Sequence, residues 1–257
     1  MSLIDLPHLK LSQPLSKTPG IFLLELAHSD ENRFTIEFVQ EITHALDCID
    51  EILDTLPPAQ AELGGALITT SKGKFYSNGL AIEAAIHQGD AFYLPYMRML
   101  ARILTFRVAT VAAINGHAFA GGCMFALAHD VRVMRSDKGW MAMNEIQLGI
   151  PLIPGMAAIV RCKINKPDVL RNCVIAGKKF TAQEAVDAGF VDRAVSVEDL
   201  DSVALKYAEQ MAPLAKGLTE VMYLIKAETY RDTVELLLSG GTNPAGYIGA
   251  RKLLAKL

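Results

Sequence analysis

The chain has 257 residues, of which 51% are hydrophobic, and a formal net charge of −3. This length is sufficient for one large α/β domain, with or without a helical appendage, and so apolar a composition excludes a disordered chain. The small net charge excludes the strongly basic surface that a general nucleic-acid-binding protein requires. We therefore expect a globular protein that does not bind nucleic acid.

The reactive side chains give no sign of a disulfide framework or a metal site. The cysteines lack CxxC spacing and the histidines lack an HxxxH pair, so we expect free thiols in a reducing compartment and no bound metal. No apolar run reaches the length of a membrane span, and the N-terminal MSLIDLPHLK lacks the core of a signal peptide. The sequence thus predicts a soluble intracellular protein without a membrane span. The cysteines are Cys48, Cys123, Cys162 and Cys173.

Predicted strands and helices alternate through the first two thirds of the chain. Short apolar runs predict buried strands at residues 21–26, 66–69, 110–114 and 131–134. Helices are predicted from Thr35 to about residue 53, after Pro95, and from Gly122 to about His129. This alternation without a linker predicts one layered α/β domain.

Beyond residue 180 the pattern becomes helical. Thr181 with Glu184, and Ser196 with Asp199, both match the capping box, in which a hydroxyl residue precedes an acid by three positions. We expect a core over residues 1–195 and a C-terminal helical region over residues 196–257.

Two glycine-bearing turns are suited to holding a negative charge. KFYSNGL follows a predicted strand, and its Gly79 permits a tight turn with outward backbone N–H groups. NGHAFAGGC runs from a strand end through Gly121 and Gly122 into a helix, whose first amides point at one spot. Together these amides would stabilise a developing oxyanion, although a glycine pair before a helix is also a common packing device.

Glu145 lies in an apolar segment, MNEIQLGIPLIPG. Burial there would raise the pKa of its carboxyl group and suit it to proton transfer near neutral pH. The alternative is a glutamate at a helix terminus or in a salt bridge. The residues alone leave both interpretations open.

Segments 71–83, 115–124 and 144–155 resemble, in order and spacing, the enoyl-CoA hydratase/isomerase (crotonase) superfamily. The run VAAINGHAFAGGCMFALAHDVRVM is the most specific part, and TAQEAVDAGFVD adds support. The resemblance implies an α/β fold, a crotonase-like spiral of ββα units with a C-terminal helical appendage, assembled as a homotrimer or hexamer. It also implies an acyl-CoA substrate and no cofactor, because coenzyme A belongs to the substrate.

The same resemblance implies roles for individual residues. The oxyanion amides are those of Leu80 and Gly121, and the catalytic acid/base is Glu145. Ala81 stands where many members have Asp, and Ala109 where many have Pro. The other substrate-binding positions implied are Ser77, Asn78, Gly79, Ala81, Ile82, Gly122, Met124 and Ile153.

The reaction is inferred from missing acids. Hydratases of this family use two glutamates, and the first would lie at Met124, which cannot activate water. Dienoyl-CoA isomerases place a second acid at the position of Ile153. A lone Glu145 resembles the Δ3,Δ2-enoyl-CoA isomerases of unsaturated fatty-acid β-oxidation. The alternatives are another crotonase-type reaction, such as weak hydration or thioester hydrolysis, and a non-catalytic acyl-CoA-binding protein. A serine hydrolase is disfavoured because Ser71 and Ser77 precede no helix start of the kind it needs.

Residues outside these roles receive simpler interpretations. We expect His117 to be structural, Asp130 to bond backbone groups at a strand entry, and Phe75, Tyr76 and Phe92 to lie in the core. The chain ends in Ala-Lys-Leu, which resembles a peroxisomal address read by an import receptor. We therefore expect a peroxisomal location for a eukaryotic source and a cytoplasmic one otherwise. One or two basic residues are expected to meet CoA phosphates, the candidates being Lys72, Lys74, Lys226, Arg251 and Lys252.

Overall fold

A computed structural model describes residues 2–14 and 17–239. Arg251, Lys252 and the C-terminal Ala-Lys-Leu, for which roles are predicted above, lie outside these described residues. The strands are β1 (Ser2–Leu6), β2 (Leu9–Ser12), β3 (Ile21–Leu26), β4 (Ala66–Ser71), β5 (Phe75–Ser77), β6 (Ala109–Ile114), β7 (His117–Phe119), β8 (Val131–Arg135), β9 (Met141–Ala142) and β10 (Arg193–Val195). The helices are α1 (Ile36–Thr55), α2 (Pro58–Ala61), α3 (Ile82–Gln88), α4 (Asp90–Leu104), α5 (Gly121–Leu127), α6 (Glu145–Leu148), α7 (Pro154–Lys163), α8 (Pro167–Leu170), α9 (Ala182–Ala188), α10 (Leu200–Met211), α11 (Val221–Thr229) and α12 (Arg231–Leu238).

Two sheets organise the described part of the chain. The larger has the order β1-β2-β3-β4-β6-β8-β10, antiparallel from β1 to β3 and parallel from β3 to β10. The smaller has the order β5-β7-β9 and is parallel. The chain visits the large sheet, then the small sheet, then a helix, in three successive turns that begin at β4, β6 and β8. This path is the predicted spiral of ββα units.

The central strands are buried on both faces. Every residue of β4 and of β6 is buried, which explains why both read as continuous apolar runs rather than as alternating patterns. One face of the sheet packs on α1 and α4 in the main hydrophobic core. The other face, which includes Ile68, Val111 and Val133, packs on α10 through Leu200, Ala204 and Ala208. The helix α10, which lies after residue 196, therefore covers one face of the large sheet and belongs to the core.

The predicted strands and the first helix are confirmed, with small shifts at their ends. Thr35 caps α1, because its hydroxyl accepts a hydrogen bond from the Phe38 N–H at 3.2 Å. The capping box at Thr181 is also confirmed, with both reciprocal hydrogen bonds to Glu184 present. None of the described helices is long and apolar enough to cross a membrane.

Two predictions of helix starts are wrong. The Ser196 hydroxyl accepts from the Asp199 N–H at 3.2 Å, but this bond closes a turn, and α10 begins only at Leu200. Pro95 lies inside α4 rather than before it, because the Gly89 carbonyl accepts the N–H groups of Phe92 and Tyr93 and starts the helix a turn earlier. The N-terminal hairpin of β1 and β2 was not predicted at all.

Candidate active site

The three predicted segments meet at one pocket with a volume of about 330 Å³. Its mouth includes half-exposed side chains, whereas Met124, Glu145 and Ile153 at its walls are buried. The predicted site residues that line it are Asn78, Leu80, Ile82, Gly121, Met124, Glu145 and Ile153. Four further predicted residues, Ser77, Gly79, Ala81 and Gly122, are not among the lining residues and support the backbone behind them.

The first loop of the pocket is held by backbone hydrogen bonds to the residue before the α1 cap. The Phe34 N–H donates to the Gly79 carbonyl at 2.8 Å, and the Ala81 N–H donates to the Phe34 carbonyl at 2.9 Å. The Leu80 N–H belongs to the same peptide group as the Gly79 carbonyl that accepts from Phe34. Because the C=O and N–H of a trans peptide point in opposite directions, the N–H of Leu80 is directed away from Phe34. The Ser77 hydroxyl accepts from the Gly79 N–H at 3.2 Å and fixes the turn, in which Gly79 has a φ of +85°.

The second loop requires both of its glycines for close packing. A methyl group on Gly122 would lie 2.2 Å from the Ser77 carbonyl oxygen, and one on Gly121 would lie 3.0 Å from Leu80 Cδ2. A methyl group on Gly79 would in turn lie 3.1 Å from the Gly121 nitrogen. The glycine pair is therefore a packing device. It also brings Gly121, whose N–H has no acceptor within its own helix because it begins α5, against Leu80.

Glu145 is the first residue of α6, and it is only 7% exposed. Its Oε2 is buried without a hydrogen-bond partner, and no ion pair within the described residues involves it. Burial raises the pKa of its carboxyl group to about 7, against a small opposing effect of a hydrogen bond from its own backbone N–H. The prediction of a raised pKa is confirmed. Of the two alternatives, the helix terminus is also confirmed, because Glu145 begins α6, and the salt bridge is wrong.

Lys226 does not reach the pocket, so its predicted contact with CoA phosphates is wrong. It is buried, and its Nζ lies 2.6 Å from Asp130 Oδ2 and 3.0 Å from the carbonyl oxygens of Phe106 and Val108. A cation so fully engaged has no donor left for a ligand. The expectation for Asp130 is confirmed, because its carboxylate accepts from the Thr110 N–H at the start of β6 at 2.8 Å.

His117, Tyr76 and Phe92 take the structural roles expected of them, whereas the phosphate contacts considered for Lys72 and Lys74 stay predictions. His117 packs against Trp140 with ring centroids 4.9 Å apart and a tilt of 34° between the rings, and its Nδ1 accepts from the backbone N–H of Trp140 at 3.2 Å. Tyr76 and Phe92 are buried in the core. Phe75 is only half-buried and packs against His117 and Phe119 outside the core, so its prediction as a core residue is wrong. Lys72 pairs with Glu25 at 2.8 Å on the surface.

Several lining residues were not predicted from the sequence. Arg33 reaches the pocket from the loop before α1, where its Nε lies 2.5 Å from Glu31 Oε2. It comes from an ordinary polar turn, HSDENRF, which carries no local signal of a site. The remaining unpredicted lining residues are Ala85, Tyr93, Phe119, Ala120, Asn144, Leu148, Ile150, Pro151 and Met156.

The spiral of ββα units and the pocket at its loops define a family, and the chain belongs to the enoyl-CoA hydratase/isomerase family, whose sequence model matches residues 18–235. It is 34% identical over 234 residues to the protein named enoyl-CoA delta isomerase 3 of Arabidopsis thaliana, covering 87% of this chain and 94% of that protein. It is also 34% identical over 239 residues to peroxisomal enoyl-CoA delta isomerase 2 of the same plant, with the same coverage of 87% and 94%.

Solved structures with the same fold include enzymes of both reaction types. The human mitochondrial delta3-delta2-enoyl-CoA isomerase matches with a TM-score of 0.77 at 23% identity, over 90% of this chain and 86% of that one. An enoyl-CoA hydratase from Mycobacterium marinum matches with a TM-score of 0.76 at 19% identity, over 90% and 95%. These likenesses establish the crotonase fold.

Proposed function

We propose that this protein is a Δ3,Δ2-enoyl-CoA isomerase that moves the double bond of a 3-enoyl-CoA to the 2-trans position. The observation that carries the proposal is the buried carboxyl group of Glu145, which forms no ion pair and whose Oε2 has no hydrogen-bond partner among the described residues, in a pocket that also contains Leu80 and Gly121. The names of the Arabidopsis relatives support the same reaction.

The proposed chemistry is a proton shuttle by one carboxylate. Glu145 removes a proton from C2 of the substrate, and the electron pair moves into the thioester to give a dienolate. The N–H groups of Leu80 and Gly121 stabilise the negative charge on the thioester oxygen. The protonated Glu145 then returns the proton to C4, which leaves the double bond between C2 and C3. A carboxyl group with a pKa of about 7 is well matched to both steps.

The surroundings of Glu145 favour isomerisation over hydration. Among the described residues that line the pocket, Glu145 is the one carboxylate, and Met124 and Ile153 present apolar side chains. A hydratase must orient and activate a water molecule, and these side chains have no group for that purpose. A dry wall also limits exchange of the shuttled proton with water.

The substrate, assembly and location are parts of the same proposal. The family supports an acyl-CoA substrate, and the resemblance of the site segments supports a homotrimer or hexamer. Two of the Arabidopsis relatives are named as peroxisomal, which supports a peroxisomal location in a eukaryotic source.

The test is turnover of cis- and trans-3-hexenoyl-CoA, and of longer homologues, by the wild type and by Glu145→Gln. The substitution keeps the shape of the side chain but removes the base, so we expect kcat to fall at least roughly a thousandfold. A parallel panel with 2-enoyl-CoA and hydroxyacyl-CoA measures hydration and dehydration, which the names of the carnitinyl-CoA dehydratase relatives make worth testing. Faster hydration of 2-enoyl-CoA than isomerisation would refute the proposal. Binding of every thioester with turnover of none would identify a binding protein instead.

A further inference from the structure

Three successive peptide groups around Gly121 are each held by a hydrogen bond. The Ala120 N–H donates to the Ala142 carbonyl of β9 at 2.8 Å, and the Ala120 carbonyl accepts from the Met124 N–H at 3.0 Å. The Gly121 carbonyl accepts from the Tyr96 hydroxyl at 2.6 Å. The first partner belongs to the small sheet and the second to the first turn of α5. The third is a side chain that reaches in from α4.

Ala120 occupies a backbone conformation that favours glycine. Its φ is +48° and its ψ is −116°, and an L-residue remains there only when its surroundings hold it. The ψ angle of Ala120 sets the direction of the next peptide group, which carries the Gly121 N–H. Whatever holds this strained junction therefore also aims the N–H group assigned to the oxyanion.

Tyr96 is built to hold that junction. It is completely buried, its ring packs on Phe34 at a centroid distance of 5.3 Å, and Phe34 is the residue whose backbone holds the Leu80 loop. A methyl group on Gly121 would lie 3.1 Å from the Tyr96 hydroxyl, so the contact also depends on the glycine. Burial, with a smaller effect of the Glu145 charge, keeps the pKa of Tyr96 well above its ordinary value, so the hydroxyl remains a neutral donor.

We propose that Tyr96 is a positioning residue whose hydroxyl holds the Ala120–Gly121 backbone so that the Gly121 N–H points at the thioester oxygen. The inference rests on the proposed function. The role differs from simple core packing, because Tyr96 bonds to the peptide next to the oxyanion donor.

The experiment compares Tyr96→Phe with Tyr76→Phe, a matched control within the chain. Tyr76 is also completely buried, and its hydroxyl lies 2.6 Å from Thr69 Oγ1, away from the Gly121 peptide. Each substitution removes one buried hydroxyl, so both should lower the melting temperature to a similar extent. With trans-3-hexenoyl-CoA, we expect Tyr96→Phe to lower kcat about tenfold and to leave KM within about twofold, since full loss of an oxyanion donor costs more. Tyr76→Phe should stay within about twofold of the wild type in both.

A binding measurement separates positioning from general damage. Acetoacetyl-CoA forms an enolate whose charged oxygen mimics the intermediate, whereas hexanoyl-CoA is a saturated thioester without that charge. We expect Tyr96→Phe to weaken acetoacetyl-CoA about tenfold and to leave the affinity for hexanoyl-CoA unchanged. Wild-type kcat and affinities in Tyr96→Phe, or equal losses in Tyr76→Phe, would overturn the inference.

The same data separate this inference from the proposed function. If the wild type fails to isomerise any 3-enoyl-CoA, yet acetoacetyl-CoA binding depends on Tyr96, then the reaction is wrong and the positioning role holds. If Glu145→Gln abolishes isomerisation while Tyr96→Phe behaves as the wild type, then the reaction holds and the positioning role is wrong.

Discussion

Two sets of buried or partly buried ionisable side chains in this protein differ in whether their charges have partners. The first is the pocket around Glu145, whose Oε2 has no hydrogen-bond partner among the described residues. The second, here the Asp130 cluster, comprises Asp130, Arg132, Lys163 and Lys226. In the Asp130 cluster the Lys226 ammonium group donates to three acceptors. Arg132 donates to the carbonyl oxygens of Phe190 at 2.7 Å and His129 at 2.6 Å.

The difference separates architecture from chemistry. Burial disfavours the charged form in both places, raising the pKa of Glu145 and lowering that of Lys226. In the Asp130 cluster an opposite charge and several carbonyl groups offset that cost, and the result ties α11 to the start of β6. In the pocket no opposite charge offsets the penalty of burying the Glu145 carboxylate, and the raised pKa that results suits the proposed transfer of a proton. A buried charge with every partner supplied is therefore a structural element here, whereas the buried carboxyl group without an ion pair is the one proposed to carry the proton.

The largest expected effect comes from breaking the Asp130 cluster. Lys226→Met should lower the free energy of unfolding by about 3–5 kcal/mol, because it leaves the Asp130 carboxylate, whose side chain is only 14% exposed, without its cation. Urea denaturation measures this loss. The double variant with Asp130→Asn removes both charges and should recover part of it. A loss below about 1 kcal/mol would show that the ion pair has no structural weight.

Burial of Glu145 should make the stability of the protein depend on pH. In the unfolded chain the Glu145 carboxyl titrates near 4.5, and in the folded protein near 7. The folded state binds more protons between these values, so its stability falls as pH rises from about 4.5 to about 7. Above pH 7 the wild type carries a penalty of up to about 3 kcal/mol that Glu145→Gln lacks. Urea unfolding at pH 5 and pH 8 should show the variant gaining stability relative to the wild type mainly at the higher pH. An equal difference at both would contradict the raised pKa.

The rate of isomerisation should reveal the same group. The shuttle begins with the ionised form of Glu145, so kcat/KM should fall about tenfold per pH unit below the free enzyme's pKa, near 7. Initial rates with trans-3-hexenoyl-CoA between pH 5 and pH 9 measure this limb. A profile that stays flat down to pH 5 would assign the proton transfer to another group.

The smallest effect should come from Thr110, a neutral hydrogen-bond partner of the Asp130 cluster. The Thr110 hydroxyl lies 3.1 Å from Asp130 Oδ2 and accepts from the Asp130 N–H at 2.9 Å. Thr110→Val should cost about 1 kcal/mol, since hydrogen bonds to Asp130 are lost while Lys226 remains. Urea denaturation beside Lys226→Met gives the comparison. A loss as large as that of Lys226→Met would mean that the charge of the lysine contributes nothing special.

Much of the fold could be predicted because local patterns and tertiary structure agree. The parallel strands are continuous apolar runs, and the caps at Thr35 and Thr181 follow the usual side-chain chemistry. The short strands of the small sheet, such as Met141–Ala142, carry too few residues for any pattern. The prediction for Lys226 failed because the exposure of α11 is the reverse of what its sequence suggests. Its lysine is buried, while Val221, Leu224 and Ile225 are exposed.

The site divides in the same way. Glu145 and the two glycine-bearing loops could be predicted, because buried acids and tight turns demand unusual residues at fixed places. Arg33, Tyr93 and Tyr96 could not, because their roles depend on which side of α4, or of the loop before α1, faces the pocket. That orientation is set by packing of elements far apart in the sequence. No local spacing encodes it.

The backbone of Gly122 lies so close to Ser77 that a single methyl group would sit 2.2 Å from a carbonyl oxygen. The two loops of the pocket are therefore packed in direct backbone contact and form one frame. On such a frame we expect the reaction to depend on the side chains that project from it, such as those of Met124 and Ile153, more than on changes of the backbone. Randomised libraries at those two positions should stay folded and diversify in activity, whereas libraries at Gly122 should yield few folded clones.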